Sequence, residues 1–208
     1  MVKNRAGPRP QNDGGDHTYR HRSQHMEEKI KARVMDSKKI KRAFQRITTE
    51  IVERNRDLNE LVIVGIRTRG VFIAKRIQQL IKTMEEASVP LGILDITLYR
   101  DDFSELEPQH IIKKTEIPFD IAGKDVVLVD DVIFTGRTTR AAMDSLFDLG
   151  RPRSIQLLVF IDRGHRELPI QPDYIGKFLP TSRREKVKVR LKEIDKIDEV
   201  LITEPVKI

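Results

Sequence analysis

Asp130 and Asp131 stand side by side at the end of an unbroken apolar run, Val126, Val127, Leu128 and Val129. A spacer of Val132, Ile133 and Phe134 leads to Thr135, Gly136, Arg137, Thr138 and Thr139, and a helical pattern follows from Ala141. The apolar run does not alternate, which marks a strand covered on both faces. Strand, acidic pair, Thr/Gly turn and helix together make an anion cradle. The first turn of a helix leaves N–H groups unbonded, the hydroxyls add donors, and the helix dipole favours negative charge. Gly136 lets the backbone approach an anion with no Cβ in the way. The chain has neither the GxxxxGK[ST] of a nucleotide loop nor the GxGxxG of a dinucleotide fold. Two carboxylates beside a phosphate cradle suit a sugar phosphate. The acids would accept from ribose hydroxyls while the turn holds the 5′-phosphate.

A second polar turn, Arg67-Thr68-Arg69-Gly70, follows another buried strand, 61–66 (LVIVGI), and precedes a helix over 71–84. Ligands of open parallel sheets gather beyond the carboxyl ends of the strands. Two guanidiniums and a hydroxyl there make a plausible pyrophosphate clamp. Further strands are expected over 92–98 (GILDITL), 154–161 (SIQLLVFI) and 186–191, with a final hairpin or edge strand at the carboxyl end. Segment 173–179 (DYIGKFL) lies between them, after Asp162-Arg163-Gly164-His165-Arg166. The pattern gives an α/β domain, a mostly parallel sheet with helices on both faces. Segment 103–122 has mixed charge, two prolines and no period; a loop that long is functional or disordered. His165 has no Ser or Cys partner in the sequence pattern and reads as a loop or RNA-facing residue.

Of 208 residues, 38% are hydrophobic and 34% charged, enough for one domain with extensions. No apolar run reaches the roughly 20 residues that cross a membrane. No secretion signal is visible, and zero cysteines exclude disulfides and fit a cytoplasmic location. The net charge of +7 favours anionic partners. Residues 1–60 hold 15 Lys or Arg against 9 Asp or Glu, so most of that excess lies there. A helix is expected after Asp36 or Ser37, with Ile40, Phe44, Ile47 and Ile51 on its buried face. Lys38, Arg42 and Arg46 share another face, which reads either as a solvated surface or as an RNA-backbone contact. Residues 1–34 are polar and aperiodic and are expected to be a disordered extension or tag, with Met26 a possible start of the usual chain. His17, His21 and His25 sit there at helical spacing, but Gly14 and Gly15 argue against a metal-binding helix.

The stretch LVDDVIFTGRT (128–138) closely resembles the phosphoribosyl-pyrophosphate (PRPP) loop of type I phosphoribosyltransferases. Together with ITLYRDD (96–102), LGRP (149–152), DRGHRELPI (162–170) and DYIGK (173–177), it resembles the PyrR family. Those are pyrimidine-operon attenuation proteins with uracil phosphoribosyltransferase activity. The resemblance spans about residues 35–205. It implies a type I phosphoribosyltransferase fold over 35–208, with a flexible flap near 101–122 and a small hood near 162–191.

The reaction it implies is uracil + PRPP → UMP + diphosphate. Mg²⁺ would arrive on PRPP, with no metal site made by the protein. Asp130 and Asp131 would serve the ribose, and residues 132–139 would line the PRPP loop. Thr68, Arg69, Arg100 and Arg163 would serve the pyrophosphate or leaving-group charge, with Asp130, Asp131 and Arg163 forming the catalytic set. Lys113 and Lys114 on the flap are further candidates for the pyrophosphate. Main-chain groups near Val187 would read uracil, with residues 174–177 as neighbours. The family also implies leader mRNA held when UMP fills the site, with Lys38, Arg42, Arg46, His165 and Arg166 as contacts, and a homo-oligomer. Gln45, Thr49 and Gln171 depart from the family pattern, which bears on how RNA is held. A transferase for another base, without an RNA role, is the alternative.

Overall fold

The computed structural model describes residues 28–99 and 115–206. Two sheets organise these residues. The larger has five parallel strands in the order β3-β2-β4-β5-β6: β2 (Leu61–Ile66), β3 (Leu91–Leu94), β4 (Asp125–Ile133), β5 (Ser154–Asp162) and β6 (Tyr174–Phe178). Helices α1 (Ser37–Arg54) and α2 (Arg69–Glu85) cover one face, and α3 (Arg137–Leu149) the other. Alternate residues of β4 serve the two cores: Val127 and Val129 pack with α1 and α2, Val126 and Leu128 with α3. All four are fully buried, which is why the sequence shows no alternation. The arrangement, a parallel sheet between two layers of helices, is the one the sequence pattern predicts.

Helix α1 begins at Asp36, whose carboxylate accepts the Lys39 N–H at 2.8 Å. Ile40, Phe44, Ile47 and Ile51 bury its inner face, each contributing about 1.5–3 kcal/mol of apolar burial. The helix end is pinned to the sheet by a buried polar cluster. Asn55 and Gln156 exchange amide hydrogen bonds at 3.0 and 2.7 Å, and the Tyr174 hydroxyl donates to Gln156 Oε1 at 2.5 Å.

The second sheet is antiparallel, in the order β1-β8-β7: β1 (Glu28–Met35), β7 (Lys186–Arg190) and β8 (Glu199–Pro205). A four-residue helix, α4 (Lys192–Asp195), joins β7 to β8.

Several expectations change. Residues 28–34, expected within a disordered extension, belong to strand β1; residues 1–27 lie outside the described residues. β1 escapes a hydrophobic reading because cross-strand ion pairs hold much of it: Lys29–Glu204 at 3.0 Å, Arg33–Glu199 at 2.8 Å, and Lys31 with Glu185. β8 is the middle strand of its sheet, not an edge, although it does form an antiparallel pair with β7. The strand expected over 92–98 stops at Leu94, because Asp95 accepts from the Thr97 N–H at 3.0 Å and hydroxyl at 2.6 Å, turning the chain into a 3-10 segment, Thr97–Tyr99. Segment 173–179 gives the outer strand of the parallel sheet rather than part of the hood, which is instead built from β1, β7 and β8. Of the flap, 101–114 lies outside the described residues. Glu116 pairs with Ile93 through two 2.8 Å backbone bonds, and Ile121 is buried.

Candidate active site

Strand β4 runs through the acidic pair to Ile133, and α3 starts at Arg137, earlier than the periodicity suggested. Gly136 caps α3 at φ 94°, a left-handed conformation that favours glycine. The turn and the helix start enclose a cavity of about 330 Å³, lined by residues 132–139 with Asp130 and Glu167. Thr139 is 2% exposed, and its hydroxyl is buried without a partner. An unpaired buried donor in a cavity wall at a helix N-terminus is what an anion's oxygens would satisfy.

Successive residues of a strand face opposite ways, and the acidic pair follows this rule. Asp130 lines the cradle, while Asp131 lines a second cavity of about 540 Å³. Asp130 accepts the Asp131 N–H at 2.8 Å, so the two are fixed relative to one another. Withdrawal from solvent pushes the Asp131 carboxyl above the usual range, against a hydrogen bond from Asp130 and the pull of the Arg69 guanidinium. The second cavity joins Arg69 and Asp131 to the hood, through Val187 and Asp195, and through Glu28 and Ile30 of β1. Those β1 residues were missed as site residues, since nothing in their local pattern distinguishes them from a polar tail.

The two turns meet through glycine. A Cβ on Gly70 would lie 2.4 Å from the Val129 carbonyl oxygen, so α2 starts in direct contact with the β4 backbone beside Asp130. Thr68 is exposed on this turn, and the Arg67–Thr68 peptide is cis. Arg69 donates to Asp195 at 3.2 and 3.4 Å, and its Nε is buried without a partner. Arg100, Lys113 and Lys114 lie outside the described residues.

The segment after β5 forms a frame. Arg163 is 8% exposed, stacks over the Phe134 ring at 4.2 Å, and donates to Thr181 Oγ1 at 3.1 Å and to the Ser182 and Glu185 carbonyls. Burial pulls its guanidinium below the usual range. It lines neither cavity of the site. Arg166 donates to the carbonyls of Ile170 at 2.9 Å and Phe134 at 3.0 Å and pairs with Asp162 at 2.7 Å. His165 donates from Nε2 to the Thr181 carbonyl and meets the edge of Phe134. Arg163 and His165 tie the Phe134 spacer to residues 181–185, just before β7, and Arg166 ties it to the segment that follows β5. Arg166 and His165, expected as RNA contacts, therefore also frame the spacer. Tyr174, in the buried cluster beneath α1, likewise stands apart from the Val187 cavity.

On α1, Lys38 and Arg42 are exposed. Arg42, Arg46 and Lys39 line a groove of about 350 Å³ between α1 and β6, with Lys177 opposite. Arg46 also bridges to the Ile175 and Gly176 carbonyls at 2.8 Å. Among the described residues no group of three or more His, Asp or Glu gathers to hold a metal, and no helix is long and apolar enough to cross a membrane.

Comparison with known proteins agrees with this geometry. The phosphoribosyl transferase domain family matches residues 32–193. The hypoxanthine phosphoribosyltransferase of Trypanosoma cruzi superposes with a TM-score of 0.65 at 14% identity, covering 85% of this chain and 98% of that one. A hypoxanthine-guanine phosphoribosyltransferase of Bacillus anthracis gives 0.61 at 18% identity, covering 86% and 99%. At such identities the likeness shows the fold. The bifunctional protein PyrR of Thermoanaerobacter sp. (strain X514) is 58% identical over 176 residues, 85% of this chain and 99% of the relative. That of Deinococcus radiodurans is 54% identical over 175 residues, 84% and 96%. A matched domain over most of the chain, and relatives more than half identical over nearly their whole length, place it: the chain belongs to the PyrR family of the phosphoribosyl transferase domain proteins.

Proposed function

We propose that the protein transfers the phosphoribosyl group of PRPP to uracil, giving UMP and diphosphate, and that its UMP-bound form holds the leader RNA of a pyrimidine operon. The observation that carries this reading is the acidic pair at the junction of two cavities. Asp130 faces the anion cradle, and Asp131 faces a larger cavity that also holds Arg69 and Val187. A phosphoribosyl group has that shape, a 5′-phosphate at one end and C1 with its leaving group at the other.

In this reading the cradle of Thr135, Gly136, Arg137, Thr138 and Thr139 takes the 5′-phosphate, and Asp130 and Asp131 accept from the ribose hydroxyls. Thr68 and Arg69 receive the pyrophosphate, with Arg100 a further candidate. Mg²⁺ comes as part of the substrate, on PRPP. Val187 lies on β7, an outer strand of the hood sheet, so its free edge offers the backbone donors and acceptors that a uracil edge can match. The uracil nitrogen attacks C1 as diphosphate leaves, and the sugar passes through an oxocarbenium-like state. The chain contributes positioning and charge stabilisation, and the reaction needs no covalent enzyme intermediate. Arg163 contributes by setting the Phe134 spacer.

The regulatory half assigns RNA to the cationic face of α1, through Lys38 on its surface and Arg42 and Arg46 in the groove. UMP in the pocket need only favour the RNA-competent state to couple the two sites. The exposed Phe147 and Leu149 at the end of α3 are consistent with the homo-oligomer expected of the family. The test is binding of a leader-like RNA with and without UMP at two salt concentrations. Affinity should rise with UMP and fall with salt. Binding indifferent to both would remove the regulatory half.

A further inference from the structure

The guanidinium assigned to the pyrophosphate already has an anionic partner. Arg69 opens α2, and its Nη2 lies 3.2 and 3.4 Å from the two carboxylate oxygens of Asp195 in α4. Both residues line the 540 Å³ cavity with Asp131. The Asp195 side chain is 17% exposed and that of Arg69 36%, so the pair sits at the cavity wall rather than in open solvent. Asp195 is itself held, since its Oδ2 accepts the Leu191 N–H at 2.9 Å. The segment that carries it is fastened to α2 a second time, two turns further on. There Arg76 donates to Glu193 at 2.8 Å and to Asp198 at 2.6 Å.

We propose that Asp195 is a positioning residue that holds Arg69 in the cavity wall while the site is empty and competes with the pyrophosphate group for it. An incoming polyanion must share or displace this carboxylate, and the carboxylate reclaims Arg69 as diphosphate departs. The device weakens product binding and quickens release. The Arg76 clasp makes the exchange local, because it keeps the segment on α2 when the Arg69 contact opens. This inference rests on the reading of Arg69 as a pyrophosphate ligand.

The experiment is calorimetric titration of the full chain with magnesium pyrophosphate, using the parent, Asp195→Asn, Asp195→Glu and Arg69→Gln. Asn keeps an oxygen for the Leu191 N–H and removes the charge. D195N should bind about fivefold tighter, from the lost competing pair and the lost repulsion of the polyanion. D195E should return toward the parent. A merely structural Asp195 would lower thermal stability without tightening the ligand, so unchanged or weaker binding by a folded D195N overturns the proposal. Arg69→Gln separates the two readings: if it leaves pyrophosphate affinity unchanged, the assignment of Arg69 fails, and the inference with it. If D195N does not fold, hydrogen exchange in the parent decides. The amides of Leu191, Ile194 and Asp195, which bond within the Asp195 turn, should exchange faster with magnesium pyrophosphate bound, and no change or added protection at them overturns the proposal.

Discussion

Gly70 sets the spacing between the two halves of the site, and its replacement by Ala measures that spacing. The added methyl would lie 2.4 Å from the Val129 carbonyl oxygen and 3.3 Å from Asp130 Cα. Carbon–oxygen contacts settle near about 3.3–3.6 Å, so the start of α2 must withdraw by about 1 Å. Thr68 and Arg69 travel with it, away from the strand that carries Asp130 and Asp131. A misplacement of that size costs roughly 10²-fold in rate. Forcing the backbones apart costs about 1–3 kcal/mol, and for a chain of this length each kcal/mol lowers the melting temperature by about 2–4 °C. The assay is kcat/KM for UMP formation from uracil and PRPP beside thermal unfolding. Gly123→Ala is the control, since Gly123 has φ 70° with open space around its Cβ position. It should lose about 1 kcal/mol of stability and keep its turnover. A folded G70A with activity within threefold of the parent would refute the reasoning.

Asp131→Asn should abolish most turnover, at least about 100-fold, yet raise the melting temperature at neutral pH. The folded state favours the protonated carboxyl, so ionisation costs stability as pH rises through its elevated pKa, and the parent carries that cost at neutral pH. Thermal unfolding at pH 7 should show the gain. Glu28 behaves oppositely: hydrogen bonds from Lys186, Lys188 and Thr203 lower its pKa from 4.5 to about 2. Its contribution is present above pH 4.5 and lost as pH falls toward 2, so the stability curves of the parent and Glu28→Gln, under about 1 kcal/mol apart at neutral pH, should converge over that window. Arg166→Ala leaves the Asp162 carboxylate, 8% exposed, without its partner and should cost about 3–5 kcal/mol. Below its lowered melting temperature the variant should bind leader RNA as the parent does, which a direct RNA contact by Arg166 would contradict.

The cradle was legible because its parts are contiguous. Residues 126–139 carry the buried strand, both acids, the left-handed glycine and the helix start in one string, and each acts through local backbone geometry. β1 was not legible, since residues 28–33 are held by partners more than 150 positions away and show no apolar alternation. The end of β3 was misplaced because Ile96 and Thr97 are good strand formers, and a single Asx turn at Asp95 overrides them. Arg163 and Arg166 drew functional readings from the family resemblance of DRGHRELPI (162–170). Their acceptors are carbonyls of the spacer and of the connections on either side of β6, and no sequence pattern reveals those. Asp195 gave no signal, since it becomes part of the site only when α4 folds against α2.

The most direct measurement is steady-state nucleotide formation from Mg-PRPP with uracil, hypoxanthine, guanine and orotate in parallel. The edge-strand reading of Val187 and the family predict UMP as the product, with uracil preferred over each other base by at least about tenfold in kcat/KM. Comparable turnover of a purine, or turnover with none of the four while Mg-PRPP still binds, would contradict it.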